Sequence, residues 1–284
     1  YTYLRMAFTE KLSKEAMDYF TSVCQKPFSE QAVAFLNAYW AEVGDQADFI
    51  FGCAWETIKF ADMHAKGVAY VHLYNEGSDL DFNIGLYFYE QLCKRLDEVK
   101  EFQEYKASKF AKSQPEMMTA IKRKTELRDK VDVNFDGRIS FLEYLLYQYK
   151  DFANPADFTT RSMKGGDEHP EIRKARLALE EVNKRIRAYE AEKQRLEEES
   201  QQPGVKGLKA KNLLAQLGAS PLAEELNKAL ITAEAAVRTA TRLFGGGGGG
   251  GGAGDDCAPS AGAIWWMNKD LEVKKQKYGK PSGK

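Results

Sequence analysis

Four cysteines, three histidines and eight prolines in 284 residues leave little material for several kinds of chemistry. Cys24, Cys53, Cys93 and Cys257 stand far apart, with no CxxC pair and no metal-binding spacing. They are expected to be small buried hydrophobes in a reducing compartment. His64, His72 and His169 have no nucleophile motif beside them, and no phosphate loop, GxSxG or HExxH occurs, so no catalytic activity is expected. Charge is in surplus on neither side: 41 Lys and Arg face 42 Asp and Glu, a net charge of −1. Nucleic acid held by overall charge is thereby excluded, and an acidic partner must be met by local patches. No apolar run reaches about 18 residues, the length of a membrane span. The amino end, YTYLRMAFTEK, carries no signal-peptide core, which points to the cytosol.

Apolar residues make up 43% of the chain, enough for a core, and they recur at helical intervals. An all-α fold is predicted. Residues 9–67 read as helices broken at Pro27, the last of them ending at Gly67. After YNEGSD comes another apolar helix, FNIGLYFYEQLCKRL, which completes one helix–loop–helix outline. A second opens at Ser113-Gln114-Pro115-Glu116, a capping pattern, runs to about Lys130, and leaves its loop through FLEYLLYQYKDF. Residues 152–169, interrupted by Pro155, Gly165 and Gly166, read as a connector.

The loop of the second outline is DVNFDGRISFLE, residues 132–143, which matches the EF-hand pattern D-x-[DN]-x-[DN]-G-x5-E. Calcium takes six to eight oxygen ligands. Asp132, Asn134 and Asp136 supply side-chain oxygens at positions 1, 3 and 5, and Gly137 permits the sharp turn. Arg138 offers its carbonyl, Ser140 acts directly or through water, and Glu143 closes the site with both carboxylate oxygens. Ile139 fits the short strand that pairs two such loops. Aligning Leu80 with Ile139 puts Leu73 and Ile84 at positions 1 and 12 of the first loop and Gly77 at position 5, none of which can ligate. The first hand is therefore expected to keep its helices, bind no metal and prop up the second. Asp79, Asp81 and Asn83 lack a closing Glu and read as a solvated loop.

Beyond the connector the texture changes. Ile172, Ala175, Leu179, Val182, Ile186, Tyr189, Lys193 and Leu196 form one heptad seam, and Leu222, Leu226, Ala229, Ala233, Ala236, Ala240 and Leu243 another. An antiparallel hairpin of long helices and an intermolecular coiled coil both satisfy them. Gly245–Gly252 form a tether, followed by a basic tail with Trp265 and Trp266.

The segments KVDVNFDGRISFLEYLLYQYKDFANPADF, LALEEVNKRIRAYE and SAGAIWWMN resemble the calcium-regulated actin-bundling family of amoeboid cells, and the resemblance runs from about Phe8 to the basic tail. It implies a cytoskeletal, monomeric, EF-hand protein of the actin-rich cortex and protrusions. Its partner is F-actin, its bundling is inhibited by Ca2+, its first hand is defective, and its main actin contacts lie in the carboxy-terminal helices. The implied organisation is a regulatory region over 1–163 (hands at about 48–97 and 113–152), an actin-binding hairpin over 164–244, a linker over 245–263 and a flexible tail over 264–284.

Residues suited to an acidic filament surface can be read directly. The segment VKGLKAKNLLAQLG holds Lys206, Lys209 and Lys211 with no acid, beside Leu208, Leu213, Leu214 and Leu217; a partner-binding helix and a cap over the hairpin both fit it. Arg238 and Arg242 extend the positive charge. In the tail, Lys274 and Lys275 contribute charge, and the Trp pair is either an anchor for a partner or docked on the chain's own core. A different function, a calcium sensor whose coiled coil recruits a non-actin partner or whose tail meets a membrane surface, also fits these residues.

Overall fold

Helices account for nearly all of the chain in a computed structural model, which describes residues 12–107, 109–166, 168–244 and 260–279. The described chain divides into two compact units: residues 12–69, 74–166 and 260–262, and residues 70–73, 168–244 and 263–279.

In the first unit, α1 (Lys14–Cys24) starts where Ser13 caps the Ala16 N–H at 3.1 Å, and α2 (Phe28–Val43) follows Pro27. A helical run beginning at Ala47 passes through a wide turn, Ile50–Trp55, into α3 (Glu56–Ala65), and Gly67 leaves it with φ +64°. The strand β1 (Asp79–Asp81) leads into α4 (Phe82–Glu98), which Asp81 caps through the Asn83 and Ile84 N–H groups. A short α5 (Lys100–Ala107) follows.

The helix entering the calcium loop begins later than the capping pattern at Ser113 predicts. Gln114 is extended (ψ 146°) before Pro115, as steric clash with a following proline favours, and α6 (Ala120–Glu126) starts at Thr119 instead. The strand β2 (Arg138–Ser140) then gives way to α7 (Phe141–Gln148). The expected connector contains a further helix, α8 (Pro155–Lys164): Asn154 caps it by accepting from Asp157 N at 2.9 Å, and Phe158 is fully buried beneath it.

The core of this unit is aromatic. Phe28 meets Phe141 edge to face at 6.4 Å, Phe88 meets Tyr144 at 5.1 Å, and Phe35 packs on Tyr149 at 5.5 Å. Each pair ties a helix of the amino-terminal half to α7 or to its C-cap Tyr149, so the helix that leaves the 132–143 loop is built into the centre of the unit. Burying each such side chain contributes roughly 1.5–3 kcal/mol. Cys24, Cys53 and Cys93 are buried free thiols, as expected; Cys257 lies outside the described residues.

The second unit is built on α9 (Pro170–Ser200), α10 (Val205–Gln216) and α11 (Pro221–Phe244), with α12 (Ala261–Tyr278) packed on them. His169 at the start of α9 meets Phe244 at the end of α11 at 4.3 Å, and Arg185 pairs with Glu225 at 2.5 Å, so the two long helices run antiparallel as a hairpin. On α9 the buried residues are Ile172, Ala175, Leu179, Val182 and Leu196, on the predicted seam, together with Ser200. On α11 the phase differs. Leu226, Leu230, Ala233, Val237 and Ala240 are buried, whereas Leu243 is exposed and Leu222, Ala229 and Ala236 are only half-buried. Both phases share Leu226, Ala233 and Ala240; the larger Leu230 and Val237 decide between them because they remove more apolar surface than alanines do.

The expected flexible tail is, over Ala261–Tyr278, a helix held to the hairpin. Asn268 donates to Thr241 Oγ1 at 2.9 Å, Lys275 pairs with Glu234 at 2.8 Å, and Tyr278 donates to Glu190 at 2.6 Å. The glycine tract itself lies outside the described residues.

Candidate metal centre and basic surface

β1 and β2 pair antiparallel with Leu80 opposite Ile139, the register the alignment of the two loops anticipates. Flanking that pair, Asp81 lies opposite Arg138 and Asp79 opposite Ser140; Arg138 also forms an ion pair with Asp79. Asp79 and Asp81 are thus an ion-pair partner and a helix cap.

In the 132–143 loop, Gly137 takes φ +78°, the left-handed conformation that glycine accepts without strain. Asp132 is buried; its Oδ2 accepts from Gly137 N at 3.1 Å, while Oδ1 is buried with no hydrogen-bond partner among the described residues. Asp136 accepts from the Asn134 amide at 2.9 Å and from Arg138 N at 2.8 Å. Glu143 is fully buried at the start of α7. Its Oε1 accepts from Val133 N at 2.8 Å, and its Oε2 from Ser140 N and Ser140 Oγ, both at 2.9 Å. Ser140 Oγ returns the bond by accepting from Glu143 N, which completes a capping box. Burial pushes the Glu143 carboxyl up to about 7 and raises Asp132 as well.

A buried carboxylate oxygen without a partner is costly, and Asp132 carries one in a loop whose donor groups are all oxygens. Asp132, Asn134, Asp136, the Arg138 carbonyl, Ser140 and Glu143 therefore fit a hard divalent cation such as calcium. The carboxylates do not yet converge: no group of three His, Cys, Asp or Glu side chains is gathered to hold a metal among the described residues. Glu143 spends its acceptors on loop N–H groups, which keeps it from that gathering.

The first loop is organised differently, by residues the sequence did not single out. Asp62 Oδ2, reaching from α3, accepts from Tyr74 OH at 2.7 Å, Lys66 Nζ at 2.7 Å and Gly77 N at 3.1 Å. A Cβ on Gly77 would lie 2.6 Å from that oxygen, so only glycine admits the contact. Glu76 accepts from Ser29 N at 3.1 Å, Ser29 Oγ at 2.6 Å and Trp55 Nε1 at 2.5 Å. Asp62 thus holds a loop N–H, that of Gly77, while Glu76 ties the loop to α2 and to the turn before α3. The available signal was Gly77, since a glycine at loop position 5 marks a close approach.

On the second unit the nine basic and aromatic candidates separate. Lys206, Lys209 and Lys211 are exposed on α10 and make no ion pair among the described residues; Val205 (82% exposed) and Leu208 (63%) accompany them. The inner side of α10 buries Ala210, which packs with Leu196 and Leu217, so this helix caps the hairpin and presents a basic, apolar outer face at once. Arg238 and Arg242 are exposed and likewise unpaired, on the wall of an open groove floored by Val237 and Leu271. The tail candidates are committed elsewhere. Trp266 is buried (6% exposed), Trp265 half-buried, Lys274 bonded to Asp270 and Lys275 to Glu234. Ile264, Trp266, Met267 and Leu271 of α12 are all buried, with Trp266 on the side of the helix opposite Ile264.

A family model for the F-actin bundling C-terminal region matches residues 138–244. A calcium-regulated actin-bundling protein of Dictyostelium discoideum is 68% identical over 274 residues, which covers 96% of this chain and 92% of that one. The crystal structure of a 34 kDa F-actin bundling protein from the same organism matches with a TM-score of 0.87 at 65% identity, covering 96% of this chain and all of that one.

Proposed function

We infer the function from kinship: the chain belongs to the family of calcium-regulated actin-bundling proteins, and it binds and bundles actin filaments under the control of calcium. The observation that carries this reading is coverage. The likeness spans nearly the whole of both chains, so the calcium loop and the hairpin come as one package.

Calcium is the inhibitory signal, received by Asp132, Asn134, Asp136, Arg138, Ser140 and Glu143. The unpaired oxygen of Asp132 supports this assignment. The filament is met by the exposed, unpaired cations of the hairpin unit: Lys206, Lys209 and Lys211 with Val205 and Leu208 at one end, and Arg238 and Arg242 toward the other. From Pro221 to Arg238 the helix rises about 25 Å at 1.5 Å per residue, so the two patches are separate contacts. Cross-linking needs two contacts per particle, and the hairpin unit alone supplies them without calling on the tail. The protein works in the actin-rich cortex and protrusions.

Low-speed sedimentation of actin in EGTA and in calcium tests the reading. Bundles should pellet in EGTA and fall in calcium. Changing Lys206, Lys209 and Lys211 together to Glu should weaken cosedimentation and flatten its salt dependence, because attraction at a surface is screened within about 8 Å at physiological salt. Equal pellets with and without calcium would overturn the regulatory half, and unchanged binding of the triple variant would reduce those lysines to a solubilising role.

A further inference from the structure

Gln31 is a fully buried polar side chain on α2, and its amide is the only polar side chain that reaches from α2 to the first turn of α7 among the bonds of the described residues. Its Nε2 donates toward three carbonyls: Cys24 O at 2.9 Å, Lys26 O at 2.6 Å and Ser78 O at 2.7 Å. Its Oε1 accepts from Leu142 N at 2.9 Å. The partners dictate the amide's orientation, since carbonyls can only accept and a backbone N–H can only donate. One side chain therefore joins the α1–α2 corner, the residue ahead of β1, and the start of the calcium hand's exit helix.

Leu142 sits beside Glu143, the residue that closes the loop. Helix α7 has two caps at this end: Ser140, reciprocal with Glu143, and Gln31 on the next free N–H. To offer both oxygens to a cation, Glu143 must release Ser140 N and Oγ. The Glu143 half of the capping box is then lost, while Ser140 Oγ can keep the Glu143 N–H and the Gln31 cap is anchored on backbone that takes no part in the loop.

We propose that Gln31 is the positioning residue that couples the calcium loop to the amino-terminal helices: it holds the first turn of α7 to the α1–α2 corner, so that a shift of α7 moves the corner with it. This rests on the functional reading above, in which the 132–143 loop is the calcium receptor.

The test uses the full chain and Gln31→Met, which keeps the side-chain volume and deletes every hydrogen bond. Calorimetry should still give about one calcium per chain. In wild type, calcium should shift the amide NMR signals of Lys26 and Phe28; in the variant those shifts should vanish while signals within the loop still move. The ratio of bundling in EGTA to bundling in calcium should fall toward one. If Gln31→Met is poorly folded, Gln31→Asn keeps the amide but is one methylene too short to reach both sides, and it should lose the same signals. A folded variant that binds calcium and retains the corner shifts and the full inhibition ratio would overturn the coupling role. Loss of calcium binding itself would also overturn it, by making Gln31 part of the site. A wild type whose bundling ignores calcium would instead remove the reading on which the coupling depends.

Discussion

Replacing Asp62 with Ala tests whether the first hand is held by its own carboxylates. The substitution removes the acceptor of three hydrogen bonds. Lys66 is 42% exposed on its side chain and also reaches Asn75 O, so its loss is made good by water and costs little. Tyr74 OH and Gly77 N are different, because Tyr74 is buried (6% exposed) and the Gly77 N–H points at the vanished oxygen. Leaving a buried donor unpaired costs about 1–3 kcal/mol, and the two together put the loss near 3 kcal/mol. For a unit of this size that corresponds to about 6–12 °C in Tm. Thermal or denaturant unfolding measures it, and a cycle with Tyr74→Phe isolates the hydroxyl contact, whose coupling energy should be about 1 kcal/mol. A loss under about 0.5 kcal/mol, the range of an ordinary surface change, or strict additivity with Tyr74→Phe, would refute the claim that Asp62 organises the loop. The pairing of β1 with β2 adds a second readout: Asp62→Ala should weaken calcium binding at the other loop, since Leu80 is the partner against which Ile139 is held.

Other consequences are simpler to state. Calorimetry should give one calcium per chain, abolished by Glu143→Gln, because the first loop offers Leu73, Gly77 and Ile84 where ligands are needed; two equivalent sites would contradict this. Trp266→Ala should cost about 3–5 kcal/mol of stability, as deletion of a buried ring does, seen as a lower denaturant midpoint, while the folded variant keeps its actin affinity. Lys275→Ala should change stability by less than about 1 kcal/mol, since its pair with Glu234 is 43% exposed on both sides. Gly77→Ala should destabilise the first unit, because the added methyl meets Asp62 at 2.6 Å.

Local pattern carried the Leu80–Ile139 register and the two long helices, because each is written in neighbouring residues at a fixed period. It failed where several answers satisfy the same letters. In ALITAEAAVRTA eight of the twelve positions are apolar, so two heptad phases compete, and only the volume of Leu230 and Val237 separates them. The tail failed for another reason. A glycine tract reads as a linker in the sequence, yet Ile264, Trp266, Met267 and Leu271 beyond it still gain by burial, and α12 docks on the hairpin. The helix hidden in the connector shows that a proline at its first position opens a helix as readily as it ends one. Asp62 and Gln31 have near partners as well, Lys66 in one case and Cys24 and Lys26 in the other, but the contacts that organise the loops lie 12 and 15 residues away in the first and 47 and 111 in the second, where no local pattern reaches.

The two loops differ in which groups hold their N–H donors, and that difference would account for a division of labour in which only the second takes calcium. In the first, Asp62 on α3 accepts from Tyr74 OH and Gly77 N, and Glu76 accepts from Ser29 on α2 and from Trp55 in the turn before α3, so these carboxylates have partners without an ion. In the second, the acceptors come from the loop itself, and one oxygen of Asp132 is left over. A cation gains nothing from the first arrangement, whose anions are already satisfied. In the second it gains Asp132 directly and competes with Ser140 for Glu143. Ligand-driven change requires differential affinity between states, and only the second loop has two sets of partners of comparable quality for one carboxylate. Because β1 is fixed by the first loop, the second cannot respond by sliding its strand; its freedom lies in the start of α7, the one end of the hand whose caps exchange.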